Sequence, residues 1–374
     1  MGLGLFLGGA GAGAAEGPDD SWQKADRPRA FEFPRDHFTH NDFRTEWWYA
    51  TGRVRTAEGR KFGYQFTLFR RGVRPPADRA EATSRWVVDH LPLGHFALSD
   101  VDGGKFYFDQ RLERGAFGRA GFPDMAESSG REKENRLAWV GDWELALGGD
   151  GSFSVKASQS GAILDLKLQP LGAPILQGAA GLSQKSAGAG NASYYYSMPR
   201  MKTEGSVQVD GKSFAVSGLS WLDREWATNQ LGAGQVGWDW ISLHLSDGRD
   251  LMLYRLRRAD RSADEFSSGT LIAADRGSRH LGWQDFSLTP QPGKTWTSAR
   301  SGGVYPIAWR IEIPSESLIL NMSAAMPDQE LALSPVAYWE GAVDAAGTAS
   351  GQAVTAEGYL EMTGYSGPLQ ALKQ

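Results

Sequence analysis

Three short stretches of the chain set carboxylates beside tryptophan. "EWWY" carries Glu46, Trp47, Trp48 and Tyr49, "SWLDREW" carries Trp221, Asp223, Arg224, Glu225 and Trp226, and "GWDW" carries Trp238, Asp239 and Trp240. A carboxylic acid in an apolar pocket keeps its proton to a higher pH and can act as a proton donor. Tryptophan faces can stabilise a developing cation. Asp223, Glu225, Asp239, Glu46 and Tyr254 are therefore the candidate proton-transfer groups. Trp47, Trp48, Tyr49, Trp221, Arg224, Trp226, Trp238 and Trp240 are the candidate ligand-binding surface. The same clusters also suit a purely structural role, with aromatic core on one face and an ion-pair network between domains on the other.

Successive side chains of a strand point to opposite faces. Trp47 and Tyr49 should share one face, and Glu46 and Trp48 the other. Asp223 and Glu225 should lie opposite Arg224 and Trp226, and Asp239 opposite Trp238 and Trp240. A buried carboxylate needs a partner, and Arg224 is the expected partner of Glu46, tying two domains together.

Other chemistry is poorly represented. The sequence has no G-x-S-x-G, P-loop, H-E-x-x-H or C-x-x-C motif. It has no cysteine, which removes disulfides, thiol nucleophiles and thiolate metal sites. "DHFTHND" sets His37 and His40 beside Asp36 and Asp42. Such a group could bind a metal, but nothing fixes a third ligand, and no metal or other cofactor is expected. His90 and His95 read as satisfied core or turn histidines.

The elements that must position these residues are strands. "KFGYQFTLFR" and "GAILDLKLQP" alternate apolar and polar residues. Asp210-Gly211 and Asp247-Gly248 are hairpin turns between such runs. Further strands are expected at "RLAWVGDWELAL", "IAWRIEIP" and "ESLILNMSA". The best helix candidate is a short one near "DRAEATSRWVVDHL". Many strands with polar turns make the chain all-β, a sandwich or barrels. A Gly/Ala/Ser-rich stretch after residue 170 divides it into domains at about 30–200 and 201–374. "EWWYATGRVRTAEGRKFGYQFTLFRR" and "GWDWISLHLSDGRDLMLYRLRR" share a plan. In each, clustered Trp is followed by an acidic-Gly-Arg turn and an apolar strand ending in two Arg, a sign of repeated architecture.

With 374 residues, 41% hydrophobic and 22% charged, the composition is that of an ordinary globular protein. The net charge is −5 and no basic block stands out, so nucleic acid is not an expected partner. Residues 1–29 form a signal-like segment and tail. "LGLFLGGAGAGAAEG" has a short apolar run and A-x-A spacing at Ala12 and Ala14, although the first Lys is Lys24. Export to the periplasm or beyond is the expectation. No later run approaches the ~20 apolar residues of a spanning helix, so no transmembrane segment is expected.

"EWWYATG", "YSMPRMKTEGSV", "SWLDREW", "QVGWDWISLHLSDGRDLMLYRLRR" and "GYLEMTGY" together resemble the AttH-like branch of the carotenoid 1,2-hydratase superfamily. Members of that branch are often labelled predicted secreted hydrolases. The resemblance runs from about residue 30 to the end and implies two tandem lipocalin-like antiparallel β-barrels. It also implies an apolar ligand, an isoprenoid or acyl lipid, held near the contact of the barrels, with hydratase or hydrolase chemistry. The alternative is a non-catalytic lipid-binding or chaperone accessory of an envelope ABC transporter, which exported relatives often accompany. Hydratases of the superfamily carry an Asp-His-x-Trp stretch, assigned to the second barrel, and then a Tyr-x-Asp stretch. Here the first aligns with Asp223-Arg224-Glu225-Trp226 and the second with Tyr254-Arg255-Leu256. Arginine cannot exchange a proton as imidazole can, and leucine has none to give.

Overall fold

Asp210 and Gly211 both adopt positive φ, 48° and 78°. That conformation suits a two-residue hairpin turn, and glycine and aspartate tolerate it. The turn joins Ala192–Val209 to Lys212–Ala227, with Val209 paired to Lys212. The Asp247-Gly248 turn likewise joins Gln235–Leu245 to Asp250–Arg258. The other expected strands form at Lys61–Gly72, Arg136–Val140, Trp143–Leu147, Ala162–Pro170, Ala308–Ile313 and Leu318–Ala324.

This computed structural model describes residues 21–79, 84, 86–125, 136–229, 231–333 and 336–367. The apolar part of the signal-like segment lies outside them. Among the described residues two large antiparallel sheets form, of 13 and 10 strands. Each curls into a lipocalin-like barrel. In the first, curling brings Trp143, near one edge, against Phe66 and Phe96 of the opposite wall.

The two sheets share one topology, as the repeated sequence plan implies. In the first, Thr45–Arg55 lies between Lys61–Gly72 and the late strand Lys212–Ala227. In the second, Gln235–Leu245 lies between Asp250–Arg258 and the late strand Gln352–Met362. Each barrel thus seats its Trp-rich strand centrally and closes it with its last long strand.

Three expectations are corrected. The boundary placed at residue 200 falls inside the strand Ala192–Val209, and the first sheet continues to Ala227. The chain changes sheet between Ala227 and Gln235, so the Asp223–Trp226 motif belongs to the first barrel. The Gly/Ala-rich stretch is not a linker. It carries two short strands, Ile175–Leu176 and Leu182–Gln184, which pair with Ala192–Val209. Of the expected helix near 78–91, only Pro76–Arg79 is helical among the described residues, and strand has begun by His90; residues 80–83 and 85 lie outside them.

Each barrel has its own core, and a third apolar cluster lies between them. Trp48, Phe66, Phe96, Trp143 and Trp226 fill the first barrel. Leu253, Trp309, Trp339 and Leu360 fill the second. Tyr49, Tyr195, Trp221, Trp240, Tyr254 and Tyr359 form the layer between. The sheets approach closely there: a Cβ on Gly63 would stand 2.7 Å from the Cβ of Ala342.

Candidate active site at the contact between the barrels

Strand alternation distributes the three clusters as expected. Trp48 turns into the first barrel, while Trp47 and Tyr49 turn out toward the second. Tyr49 meets Trp240 edge-on, with ring centres 5.2 Å apart. Arg224 and Trp226 turn inward, and Asp223 outward beside Tyr49, its partner across the strands.

Asp223 is buried and accepts three hydrogen bonds. They come from Tyr195 Oη at 2.6 Å, Ser197 Oγ at 2.5 Å and Trp221 Nε1 at 2.6 Å. Among the described residues no Lys or Arg pairs with it. Burial pushes its carboxyl up to about 7, against the pull of those three donors. Tyr195 Oη also accepts from Trp240 Nε1 of the second barrel, at 3.2 Å.

Two acids that the motif analysis passed over stand opposite, on the second barrel. Glu361 is paired across the strands with Trp240 on one side and Glu340 on the other. It accepts from Trp238 Nε1 at 3.0 Å, and burial pushes it up to about 7. Burial, reinforced by the Glu361 charge, raises Glu340 well above the usual range. Its Oε1 makes no hydrogen bond of good geometry, although the Tyr49 and Tyr338 hydroxyls stand close enough to draw it down a little. The layer therefore holds Asp223 and Glu340, both buried, and the half-buried Glu361, all raised and all without a cation among the described residues. A sequence signal existed: Trp339-Glu340 is another aromatic–acid pair, and Glu361 lies in "GYLEMTGY".

The other candidates have different surroundings. Glu225 accepts from Ser193 and pairs with Lys185 Nζ at 3.1 Å. Lys185 also sits over the Tyr254 ring, 4.2 Å from its centre. Tyr254 bonds Ser183 at 3.0 Å. Asp239 turns into the second barrel, where Arg257 meets it at 2.7 Å and Tyr365 donates to it at 2.9 Å.

Glu46 lies in the first barrel between two guanidiniums, Arg70 at 2.5 Å and Arg224 at 2.8 Å. Thr39 and the His40 amide also donate to it. Against the cost of burial, the two arginines hold its carboxyl well below the usual range. The expected Glu46–Arg224 pair exists, but it does not join the barrels, because both strands belong to the first sheet. Arg224 also covers the Trp48 ring at 3.7 Å and donates to the backbone of His37, Phe38 and Trp47.

The histidines are engaged locally. His37 Nδ1 is 2.6 Å from Tyr196 Oη, and His40 stacks on Trp226 at 3.7 Å with Nε2 3.1 Å from Asp36. His90 Nδ1 faces Arg70 at 3.2 Å. His95 joins the barrels, its Nδ1 2.7 Å from Tyr338 Oη.

The AttH-like family profile matches residues 24–365. The chain belongs to the AttH-like family. A solved AttH structure from Nitrosomonas europaea is 34% identical, covers 92% of this chain and 99% of its own, and superimposes with a TM-score of 0.78. Kievitone hydratase from Nectria haematococca shares the fold at 15% identity, with a TM-score of 0.67 over 92% of this chain and 98% of its own. The dehydratase asqC of Emericella nidulans is 26% identical over 185 residues, 48% of this chain and 50% of that protein. The match spans about half the length of that curated relative. The AttH-like resemblance read from the motifs is borne out, and the named hydratase and dehydratase agree with a carotenoid-hydratase-like superfamily.

Proposed function

We propose that this AttH-like protein is a hydratase-type enzyme that adds water to, or removes it from, an apolar substrate at the contact of its barrels. The observation that carries this reading is Asp223, a buried carboxyl held by three neutral donors, with no Lys or Arg paired to it among the described residues and with burial pushing it up to about 7. Such a group can give and retake a proton at working pH. In the hydration direction the Asp223 proton passes to one alkene carbon. The cation left on the other carbon lies against the faces of Trp221 and Trp240. Water adds there, and its spare proton returns to Asp223. The hydratase and dehydratase among similar proteins support this reaction class.

Geraniol in D2O tests it. Mass spectrometry should find the hydrated product with one carbon-bound deuterium, formed by the native protein and at least ~100-fold more slowly by Asp223→Asn. An unchanged rate in Asp223→Asn would sink the assignment.

A second reading has its own observation. Arg224 is fully engaged in the first barrel and Leu256 carries no acid, at the positions where superfamily hydratases have His and Asp. On this reading the chain is an exported lipid-binding or chaperone accessory of an envelope ABC transporter. Native mass spectrometry of protein from its own host would then find a retained lipid, with no product in the geraniol assay. N-terminal sequencing of that protein tests export: a start near Ala15 supports it, and an intact Met1 does not.

A further inference from the structure

One end of the first barrel is built unlike the rest of the surface. The segment following Leu112 leaves its strand, turns at Ala116–Gly118 and crosses the barrel end. There Phe122 stacks on Trp48, and the Pro123 carbonyl accepts from the Thr39 amide. It reaches Met125, which lines a pocket of about 470 Å³ with Phe33, Phe38, Phe153 and Met198. His37 also lines that pocket. Its ring is uncharged near neutral pH, because burial and then the Arg224 charge push it down to about 4.

Apolar side chains stand out around this end. Twelve large hydrophobic residues are exposed among those described, and Phe33, Trp86, Leu91, Leu112, Phe117 and Met125 are six of them. Trp86 is 72% exposed, Leu112 62% and Phe117 83%. Phe117 holds that position with φ 58°, in the left-handed region that non-glycine residues rarely adopt. Arg114 is exposed, covers the Trp86 ring at 5.3 Å and donates to the Trp86 carbonyl at 2.7 Å. Among the described residues it pairs with no carboxylate. Arg119 stands two residues beyond Phe117, its side chain 66% exposed and paired with Glu113 at 2.7 Å.

We propose that this end of the first barrel docks onto a lipid bilayer with anionic headgroups. Trp86, Leu112 and Phe117 would insert at the level of the acyl boundary, and Arg114 would meet the headgroups. Separate aromatic and aliphatic tips with an adjacent arginine suit a fluid interface, where tryptophan is favoured and each basic residue gains from anionic lipid. Arg114, beside Trp86 and without a carboxylate partner among the described residues, supplies the charge complementarity. Phe33 and Met125, two of the exposed residues at this end, also line the barrel-end pocket. The proposal does not depend on catalysis.

Flotation with phosphatidylcholine vesicles, with and without phosphatidylglycerol, tests it. The protein should float with the anionic vesicles. Trp86→Ser with Phe117→Ser should weaken binding ~10-fold or more, since both side chains supply apolar insertion. Arg114→Glu should remove most of the preference for phosphatidylglycerol. Ile319→Ser, at an exposed site on the second barrel, should change nothing. Absence of flotation, or equal flotation of the double variant and the native protein, overturns the proposal. So does a concentration-dependent dimer that the double variant abolishes in the absence of vesicle binding, since that assigns the face to a second copy. The substituted side chains are exposed, and an unchanged far-UV circular dichroism spectrum would confirm that each variant is folded.

Discussion

Glu46 and Asp223 lie on neighbouring strands of one sheet, three residues apart in register, and both are buried. They face opposite sides. Glu46 meets two arginines inside the barrel and stays ionised, whereas Asp223 meets three neutral donors outside it and is raised. Burial is common to both, so it cannot be what separates them. The separation comes from the guanidiniums, whose attraction exceeds the desolvation cost only where they are present. The second barrel repeats the contrast: Asp239 faces Arg257 inside, and Glu361 faces the contact with no cation among the described residues. Each barrel pairs one interior acid with arginine and turns other acids toward the shared layer.

Removing a cation from the Glu46 site should have the largest effect. Arg224→Ala leaves Arg70 as the one guanidinium at Glu46 and removes a donor from the backbone carbonyls of His37, Phe38 and Trp47. Breaking a buried pair in this way costs about 3–5 kcal/mol, measurable by urea unfolding. Glu46→Gln should cost a similar amount, and the double variant less than the sum, because the two residues are one interaction. A native-like midpoint for Arg224→Ala would erase the distinction between the two sites.

The contrast also fixes opposite pH dependences. Asp223 titrates at about 7 in the fold against an ordinary 3.8. Between those values the folded state holds a proton that the unfolded state has lost. Its contribution therefore lowers stability as pH rises from about 4 to about 7, then levels off. Glu46 is depressed, so its contribution is full above its ordinary 4.5 and fades as pH falls toward its folded value. Asp223→Asn should flatten the decline between about pH 4 and 7 and leave the acid limb in place; Glu46→Gln should do the reverse. Unfolding midpoints measured from pH 4 to 8 decide this, and identical profiles for the two variants would mean that the sites do not differ.

Much of this arrangement could be read from the residues. Alternation alone separated Trp48 from Tyr49 and Arg224 from Asp223, because a strand admits only two faces. The Asp210-Gly211 turn was legible because the φ values it requires favour those residues. The change of sheet was not legible, because the crossing between Ala227 and Gln235 is short, while the Gly/Ala-rich stretch that drew attention lies within the first barrel. The raised acids at the contact were hidden for a related reason. Glu46 and Glu340 each adjoin tryptophan in sequence, and what distinguishes them is a partner from another strand. Arg70 and Arg224 reach Glu46 from residues 24 and 178 positions away, and no local pattern announces which acid such residues will meet.

The smallest effects should come from ties between the barrels, and these divide by the same rule. His95, half-buried, meets the buried Tyr338, and desolvation pushes the imidazole down to about 3 and keeps it neutral. Tyr338→Phe leaves that ring nitrogen unpaired and should cost about 1–3 kcal/mol, insensitive to salt. Arg55 and Glu357 also join the barrels, but their side chains are 46% and 34% exposed. Water and salt screen such a pair, so Arg55→Ala should cost about 0–1 kcal/mol and less as ionic strength rises. A larger loss from Arg55→Ala than from Tyr338→Phe, at low and high salt alike, would show that the rim and not the buried layer holds the barrels together. The raised acids between them would then be exposed to water far more often than burial in that layer implies.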